Sequence, residues 1–278
     1  MRTIAFIFCL LTNFLFEAAL FAQPAKTIYV YADKGAGPES VEQTLVTFSA
    51  WLPTYTVKAL DTNTLLEGTW TKHAALFVMP GGADLPYVEK LNGEGNKIIK
   101  DYVQNGGAYL GLCAGSYYAA TDIEFDKDGP LKVVGSRELG FFKGKAVGPV
   151  LATYDYKSRS GSRAAKLTTH FSTLKEATVF YNGGGYFENA AQDLSVEVIA
   201  TYAAKSDLAA IIFTSYGAGN VVLSGVHFEY DPNLLDPADP DLQKILPALH
   251  VGDASRKALF DKLVDRLGIQ TSEDPTHV

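Results

Sequence analysis

A cysteine between two glycines is the pattern in this chain best suited to covalent chemistry. Cys113 lies in Gly111-Leu-Cys-Ala-Gly115, after an apolar run that predicts a strand and before a short segment that predicts a helix. This is the cysteine form of a nucleophile elbow. The start of the helix would favour the thiolate, which is the nucleophilic form, and the Ala114 amide would face a developing oxyanion. The alternative is a cysteine that is only packed in the core.

A glycine pair after another predicted strand is a candidate for the second half of an oxyanion site. Gly81 and Gly82 follow an apolar run at residues 74–79, and Asp84 comes two residues later. At the carboxyl end of a strand, such glycines can aim backbone N–H groups into the crevice that holds the nucleophile. We include Asp84 with them as a candidate substrate-binding residue. The alternative is a plain Pro-Gly turn.

His227 and Glu229 are the candidate base and its orienting carboxylate. They are two residues apart at the end of the last predicted strand, so in an extended backbone they point to the same side. A histidine backed by a carboxylate can activate a nearby nucleophile. The histidines without a carboxylate at this spacing are His73, His170, His250 and His277.

The surrounding pattern predicts an α/β fold in which these segments meet. Strand-like and helix-like runs alternate over the first half of the chain, which is typical of right-handed crossovers and a mostly parallel sheet. Ser40-Val-Glu-Gln43 is a capping-box pattern and predicts the start of the first helix. Later runs between glycine-containing turns predict antiparallel hairpins, and two helices follow. The strand-like and helix-like runs lie at 27–32, 55–60, 74–79, 96–104, 108–112, 140–150, 165–170, 178–187, 195–202, 208–216, 220–226, 241–250 and 254–267.

The charge balance excludes some partners. The 278 residues hold 24 basic and 31 acidic side chains, which gives a formal net charge of -7. Nucleic-acid and anionic-membrane surfaces need clustered Lys and Arg, so we expect neither kind of partner. The acidic residues show no ligand spacing, so we predict no metal and no cofactor. The sequence leaves the oligomeric state open.

The N-terminus predicts export. Arg2, an apolar stretch at 4–16 and the small residue Ala22 fit a secretory signal that is cleaved after Ala22, the alternative being a buried first helix or strand. We therefore expect a signal peptide at 1–22, one domain at 23–270, a tail at 271–278 and a secreted or periplasmic location. Cleavage would remove Cys9, so Cys113 would be the one remaining thiol: buried, paired between chains, or reactive.

The motifs together resemble a known family. The order GG-x-D, G-x-C-x-G, H-x-E is similar to that of the class I glutamine amidotransferase-like superfamily. Glycine-containing strings at 81–87, 91–95, 105–115 and 181–187 resemble more closely the amidotransferase-like domain at the N-terminus of eukaryotic biotin-protein ligases, which also occurs alone. The resemblance covers most of residues 27–230. It implies a flavodoxin-like three-layer α/β/α sandwich.

The resemblance also implies roles for individual residues. Cys113, His227 and Glu229 would be nucleophile, base and orienter, acting on a small-molecule or peptide-like substrate. Gly184 in the glycine run at 183–185 is a candidate ligand-facing residue, the alternative being a hairpin corner.

Two departures from the family pattern limit the activities that we expect. The positions after the elbow hold Ser116, Tyr117 and Tyr118 where glutaminases carry a Gln, and no Gly/Arg-rich adenylate-binding loop appears. Both observations argue against glutaminase and biotin-ligase activity. The leading hypothesis is a cysteine-dependent hydrolase of an amide or related carbonyl. The alternatives are a non-catalytic ligand-binding or regulatory module and a redox-sensing thiol protein.

Overall fold

The structure is a computed structural model that describes residues 27–271. The predicted signal segment at 1–22 lies outside the described residues, as does nearly all of the predicted tail, so both stay predictions. None of the helices within residues 27–271 has the length and apolar character needed to cross a bilayer.

The first half of the described chain alternates strands and helices. The parallel strands β1 to β4 stand side by side in the order β2-β1-β3-β4. In chain order the elements are β1 (Thr27–Tyr31), α1 (Pro38–Trp51), β2 (Thr56–Leu60), α2 (Thr62–Glu67), β3 (Ala74–Met79), α3 (Asp84–Leu91), α4 (Glu94–Gln104), β4 (Ala108–Leu112) and α5 (Ala114–Tyr118).

The second half extends the same sheet with hairpins and ends in two helices. The last strand, β13, returns to pair parallel with β4 and antiparallel with β12. The elements are β5 (Ala120–Phe125), β6 (Val133–Ser136), β7 (Phe142–Gly148), β8 (Arg163–Thr169), β9 (Glu176–Tyr181), β10 (Tyr186–Phe187), β11 (Val196–Tyr202), β12 (Lys205–Tyr216), β13 (Gly219–Ser224), α6 (Pro240–Gln243) and α7 (Leu246–Arg266).

Helices cover both faces of the sheet. Leu76 and Val78 of β3 belong to the same core cluster as residues of α1 and α7, whereas Phe77 belongs to the cluster of α3 and α4. Successive side chains of a strand point to opposite faces, so a strand covered twice must be apolar throughout. The predicted α/β class, with parallel strands, antiparallel pairs and helices around the sheet, is confirmed.

Two local predictions were wrong, and one hairpin was missed. Helix α1 begins at Pro38 after the N-cap residue Gly37, so Ser40 does not cap it. Proline suits the first helical turn because its missing N–H would have no partner there. The hairpin of β5 and β6 was not predicted. Residues 246–266 form one continuous helix, where the sequence pattern predicted a break at 251–253.

Candidate active site

Three neighbouring parallel strands end at one edge of the sheet and position the candidate residues. Strand β4 lies between β3 and β13. The chain leaves β3 into Gly81 and Gly82, β4 into Cys113, and β13 into the segment that holds His227. Because the carboxyl ends of parallel strands share an edge, segments far apart in sequence meet there.

Cys113 sits on a tight strand-to-helix turn. Its φ of 47° makes it one of three residues other than glycine in 27–271 with positive φ. Such a backbone costs on the order of 1–3 kcal/mol and persists only where its surroundings hold it. Here the Cys113 N–H donates to Ser224 O at 2.8 Å, and the Cys113 carbonyl accepts from the amide of Tyr117 at 3.0 Å. The following helix has five residues, so the dipole effect expected from the sequence is small.

The Cys113 side chain is buried beneath a cavity. It is 8% exposed, and it lines the cavity together with His227. Its sulfur lies 3.7 Å from the carbonyl oxygen of Asn182, to which the thiol donates. The sulfur is therefore held by the protein yet faces the space in which a ligand would sit.

The His227 ring is fixed from several directions. Its Nδ1 lies 2.7 Å from Oε1 of Glu229, which is fully buried. The backbone N–H of His227 donates to Phe180 O at 2.8 Å, and the ring of Tyr230 lies 4.6 Å from the imidazole between centroids. With Nδ1 occupied by Glu229, Nε2 is the nitrogen left for another partner.

The environment of His227 favours its charged form. Burial lowers the pKa of His227, but the Glu229 carboxylate and hydrogen bonds with Cys113 and Glu229 outweigh it and raise the pKa to about 10. The other oxygen of the carboxylate, Oε2 of Glu229, has no hydrogen-bond partner within residues 27–271. Within residues 27–271, the His227 imidazole is therefore the hydrogen-bond partner of this carboxylate.

The two glycines of the pair differ in the partners of their amides. The Gly81 amide donates to the Ser40 hydroxyl at 2.9 Å, so it is already used. A Cβ at Gly81 would lie 2.8 Å from Cε1 of His227, which explains why glycine is required there. The amides of Gly82 and Ala114 are not among the donors paired within residues 27–271, and both residues line the cavity. They are the remaining candidates for an oxyanion site.

Asp84 and Gly184 have different positions relative to the cavity. Asp84 lines it and is paired with Arg137, whose Nε lies 2.6 Å from Oδ2. Burial raises the pKa of Asp84, opposed by the charge of Arg137. Gly184 is not among the lining residues, and a Cβ there would lie 1.6 Å from Gly225 O. Within the same turn, Asn182 and Gly183 line the cavity.

The cavity has a volume of about 490 Å³, and one of its walls was missed by the sequence analysis. The segment 154–159, between β7 and β8, contributes that wall, and its Arg159 pairs with Glu39 at 2.5 Å. The signal in the sequence was the alternation of aromatic and charged residues at 154–157. Within residues 27–271, no group of His, Cys, Asp and Glu is arranged to hold a metal ion.

Fold and site define an α/β protein with a buried cysteine, histidine and glutamate where parallel strands end. The chain belongs to the biotin-protein ligase N-terminal family, whose model matches residues 26–278. It is 33% identical over 257 residues to the biotin–protein ligase of Schizosaccharomyces pombe, covering 89% of this chain but 38% of the ligase. It is 39% identical over 248 residues to an uncharacterized protein of Chlamydia muridarum, covering 86% of this chain and 94% of that one.

Among solved structures, a ThuA-like protein from Bacteroides uniformis matches with a TM-score of 0.48 at 13% identity, covering 83% of this chain and 92% of that one.

Replacing Ser40 with alanine should destabilise the protein. The substitution leaves the buried Gly81 amide without an acceptor, and an unsatisfied buried donor costs about 1–3 kcal/mol. Urea unfolding would measure the loss. The control is Ser49→Ala, because Ser49 lies on the same helix but is exposed, and its replacement should change stability by less than about 0.5 kcal/mol. Equal stability of the two variants would contradict the role given to Ser40.

Proposed function

We propose that this protein is a cysteine-dependent hydrolase or acyl-transfer enzyme of the glutamine amidotransferase-like superfamily, acting on an amide or related carbonyl. Cys113 is the nucleophile, His227 the acid and base, and Glu229 the orienter. One observation carries the proposal: the His227 imidazole, held 2.7 Å from the buried Glu229 carboxylate, lines the same cavity as a cysteine on a strained turn. A structural cysteine needs neither the strain nor the buried pair.

The raised pKa of His227 defines the resting state in this proposal. The imidazole keeps its proton at neutral pH, and a cation beside a thiol favours the thiolate. The thiolate attacks the substrate carbonyl carbon, a C–S bond forms, and the carbonyl π electrons move to oxygen. The Gly82 and Ala114 amides donate hydrogen bonds to that oxyanion.

The remaining steps return the enzyme to its starting state. His227 gives its proton to the leaving amine as the C–N bond breaks, which leaves a thioester on Cys113. Water then attacks the thioester while the neutral imidazole takes a proton from it. Collapse of the second tetrahedral intermediate breaks the C–S bond and releases a carboxylic acid, so thiolate and imidazolium are restored. Glu229 holds the ring orientation throughout.

The proposal does not include biotin ligation. The matched region spans 38% of the fission yeast ligase, and the similarity supports a shared domain. The activity of the whole ligase would require residues outside that region.

A second candidate is a non-catalytic ligand-binding module. The observation that favours it is the low exposure of Cys113, 8%, with its thiol directed to the Asn182 carbonyl. In this case the cavity would bind its ligand without attack by sulfur.

Alkylation kinetics distinguish the two candidates. At pH 7, iodoacetamide should modify Cys113 at least about ten times faster than it modifies the thiol of N-acetylcysteine. An ordinary thiol with pKa near ~8.5 is mostly protonated at that pH. The rate of Cys113 alkylation at pH 6.5 should be most of the rate measured at pH 8. Peptide mass spectrometry would follow the adduct, with Cys113→Ser as the unlabelled control. A rate equal to that of the free thiol, rising steeply with pH, would favour the binding module.

A further inference from the structure

An unbroken row of aromatic rings forms one wall of the cavity. The rings of Tyr117 and Phe125 lie 5.7 Å apart at 88°, those of Phe125 and Tyr154 5.9 Å apart at 73°, and those of Tyr154 and Tyr156 4.9 Å apart at 84°. All four residues line the cavity. Each contact is edge-to-face, the arrangement that aromatic pairs prefer. We call these four residues the aromatic wall.

The aromatic wall begins beside the sulfur. Tyr117 lies on α5, one turn after Cys113, and its amide donates to the Cys113 carbonyl at 3.0 Å. Phe125 is the last residue of β5. Tyr154 belongs to the segment between β7 and β8, and it lines the same cavity as Cys113. Three separate segments therefore supply rings to one surface that extends outward from Cys113.

Core packing does not account for the outer part of the aromatic wall. Tyr156 is 56% exposed although it is a large aromatic side chain. The apolar side chains of Ile123 and Val133 continue the same side of the cavity. Apolar surface that a protein leaves open inside a cavity is typical of ligand sites, where aromatic groups line most of the surface and few polar groups set orientation.

The charged side chains that line the cavity do not favour an anionic ligand. The Arg159 guanidinium is already paired with Glu39 at 2.5 Å. Lys157 also lines the cavity, but the carboxylates of Asp155 and Asp239 line it too. The His227 imidazole is paired with Glu229. Lys157 is then the one unpaired cation among the lining residues of the described chain, and it shares the lining with two carboxylates, so a negative group gains little there.

We propose that the substrate carries an aromatic ring next to the carbonyl that Cys113 attacks, and that this ring packs on the aromatic wall. The inference rests on the proposed function for the attacked carbonyl. The aromatic wall defines the substrate class as aryl-bearing amides or related acyl compounds. Binding of the ring would hold the carbonyl near the sulfur, since a positioned reactant reacts faster than a free one.

Three electrophiles that share the same reactive group, and differ in the substituent beside it, test the inference. They are iodoacetamide, N-benzyl-iodoacetamide and N-(carboxymethyl)-iodoacetamide, each corrected for its reactivity with N-acetylcysteine. We expect the benzyl reagent to modify Cys113 about ten-fold faster than iodoacetamide at low concentration, and its rate to saturate, since one apolar group in a pocket changes rates by roughly 10- to 200-fold. The carboxymethyl reagent should show no gain.

Phe125→Ala tests the aromatic wall itself. The substitution removes the central ring, so the ratio of benzyl to iodoacetamide rates should fall toward one. The matched control is Phe171→Ala, because Phe171 is also half-buried but lies outside the cavity lining, and its ratio should stay at the wild-type value. A benzyl ratio near one in the wild type, or a larger gain for the carboxymethyl reagent, would overturn the inference.

The rates also separate this inference from the proposed function. If Cys113 is not activated, iodoacetamide will react at the rate of a free thiol, yet the benzyl ratio still reports on the aromatic wall. If the substrate class is wrong, iodoacetamide will react fast and the benzyl ratio will be near one. The two failures therefore give different results.

Discussion

Replacing His227 with alanine is expected to slow the alkylation of Cys113 by iodoacetamide about ten-fold or more at pH 7. The wild-type imidazole has a raised pKa and is charged at that pH, and it shares the cavity with the sulfur. Without the cation, the thiolate fraction should fall toward that of an isolated thiol, which is a few per cent at pH 7. Second-order rate constants from mass spectrometry of the labelled peptide would measure the effect.

Two further variants make this result interpretable. His170→Ala removes an exposed histidine and should leave the alkylation rate at the wild-type value. Glu229→Gln keeps a hydrogen-bond acceptor beside Nδ1 but removes the charge that raises the pKa of His227, so we expect a smaller slowing than in His227→Ala. Because His227→Ala leaves a buried carboxylate unpaired, each variant should first be checked for native circular dichroism. Wild-type rates in both site variants would contradict the assignment of His227.

The pH dependence of stability follows from the same pair. The pKa of His227 is raised on folding, so its stabilising effect is fully present below the unfolded pKa of ~6.5 and is lost as pH rises toward about 10. Wild-type stability should therefore decline between these values more steeply than that of His227→Ala. Urea unfolding at several pH values would measure the difference. Parallel profiles would show that the pair contributes no pH-dependent stability.

The central strands could be predicted because their signal is local. The runs 74–79 and 108–112 are continuously apolar and end at residues that stop a strand, and β3 and β4 have the same bounds. A strand covered on both faces must be apolar at every position, so no outside information is needed to find it. The order of motifs along these strands then placed Cys113 and His227 at one sheet edge.

The parts that were missed depend on contacts between distant segments. Strand β5 has a mixed burial pattern, because several of its side chains are only partly covered, and this obscures any strand periodicity. Ser40 matched a local capping pattern, but its hydroxyl accepts a hydrogen bond from the amide of Gly81, which is 41 residues away. The pair of Arg159 and Glu39 joins residues 120 apart. A single sequence gives no sign of such pairings, since each depends on how the whole chain folds.

Gly184→Ala is expected to destabilise the protein by at least about 3 kcal/mol. A Cβ at Gly184 would lie 1.6 Å from the Gly225 carbonyl oxygen, so backbone meets backbone and no side chain can move aside. The Gly184 carbonyl also accepts hydrogen bonds from Val150 N at 3.1 Å and from the Tyr181 hydroxyl at 3.0 Å, which fix its position. The free energy of unfolding in urea would measure the loss.

The contact between Gly184 and Gly225 matters for the site because each residue is close in sequence to a cavity residue. Gly183 precedes one of them, and His227 follows the other by two positions. A displaced Gly225 should therefore also slow the alkylation of Cys113 in whatever native protein remains. Gly68→Ala is the matched control: its Cβ would lie 3.9 Å from Ile98, an ordinary contact, and its left-handed backbone, with φ of 70° and ψ of -7°, predicts a cost of about 1 kcal/mol from backbone strain alone. If both variants lose the same small amount of unfolding free energy, the turn at 181–187 can adjust to a Cβ more easily than its packing indicates.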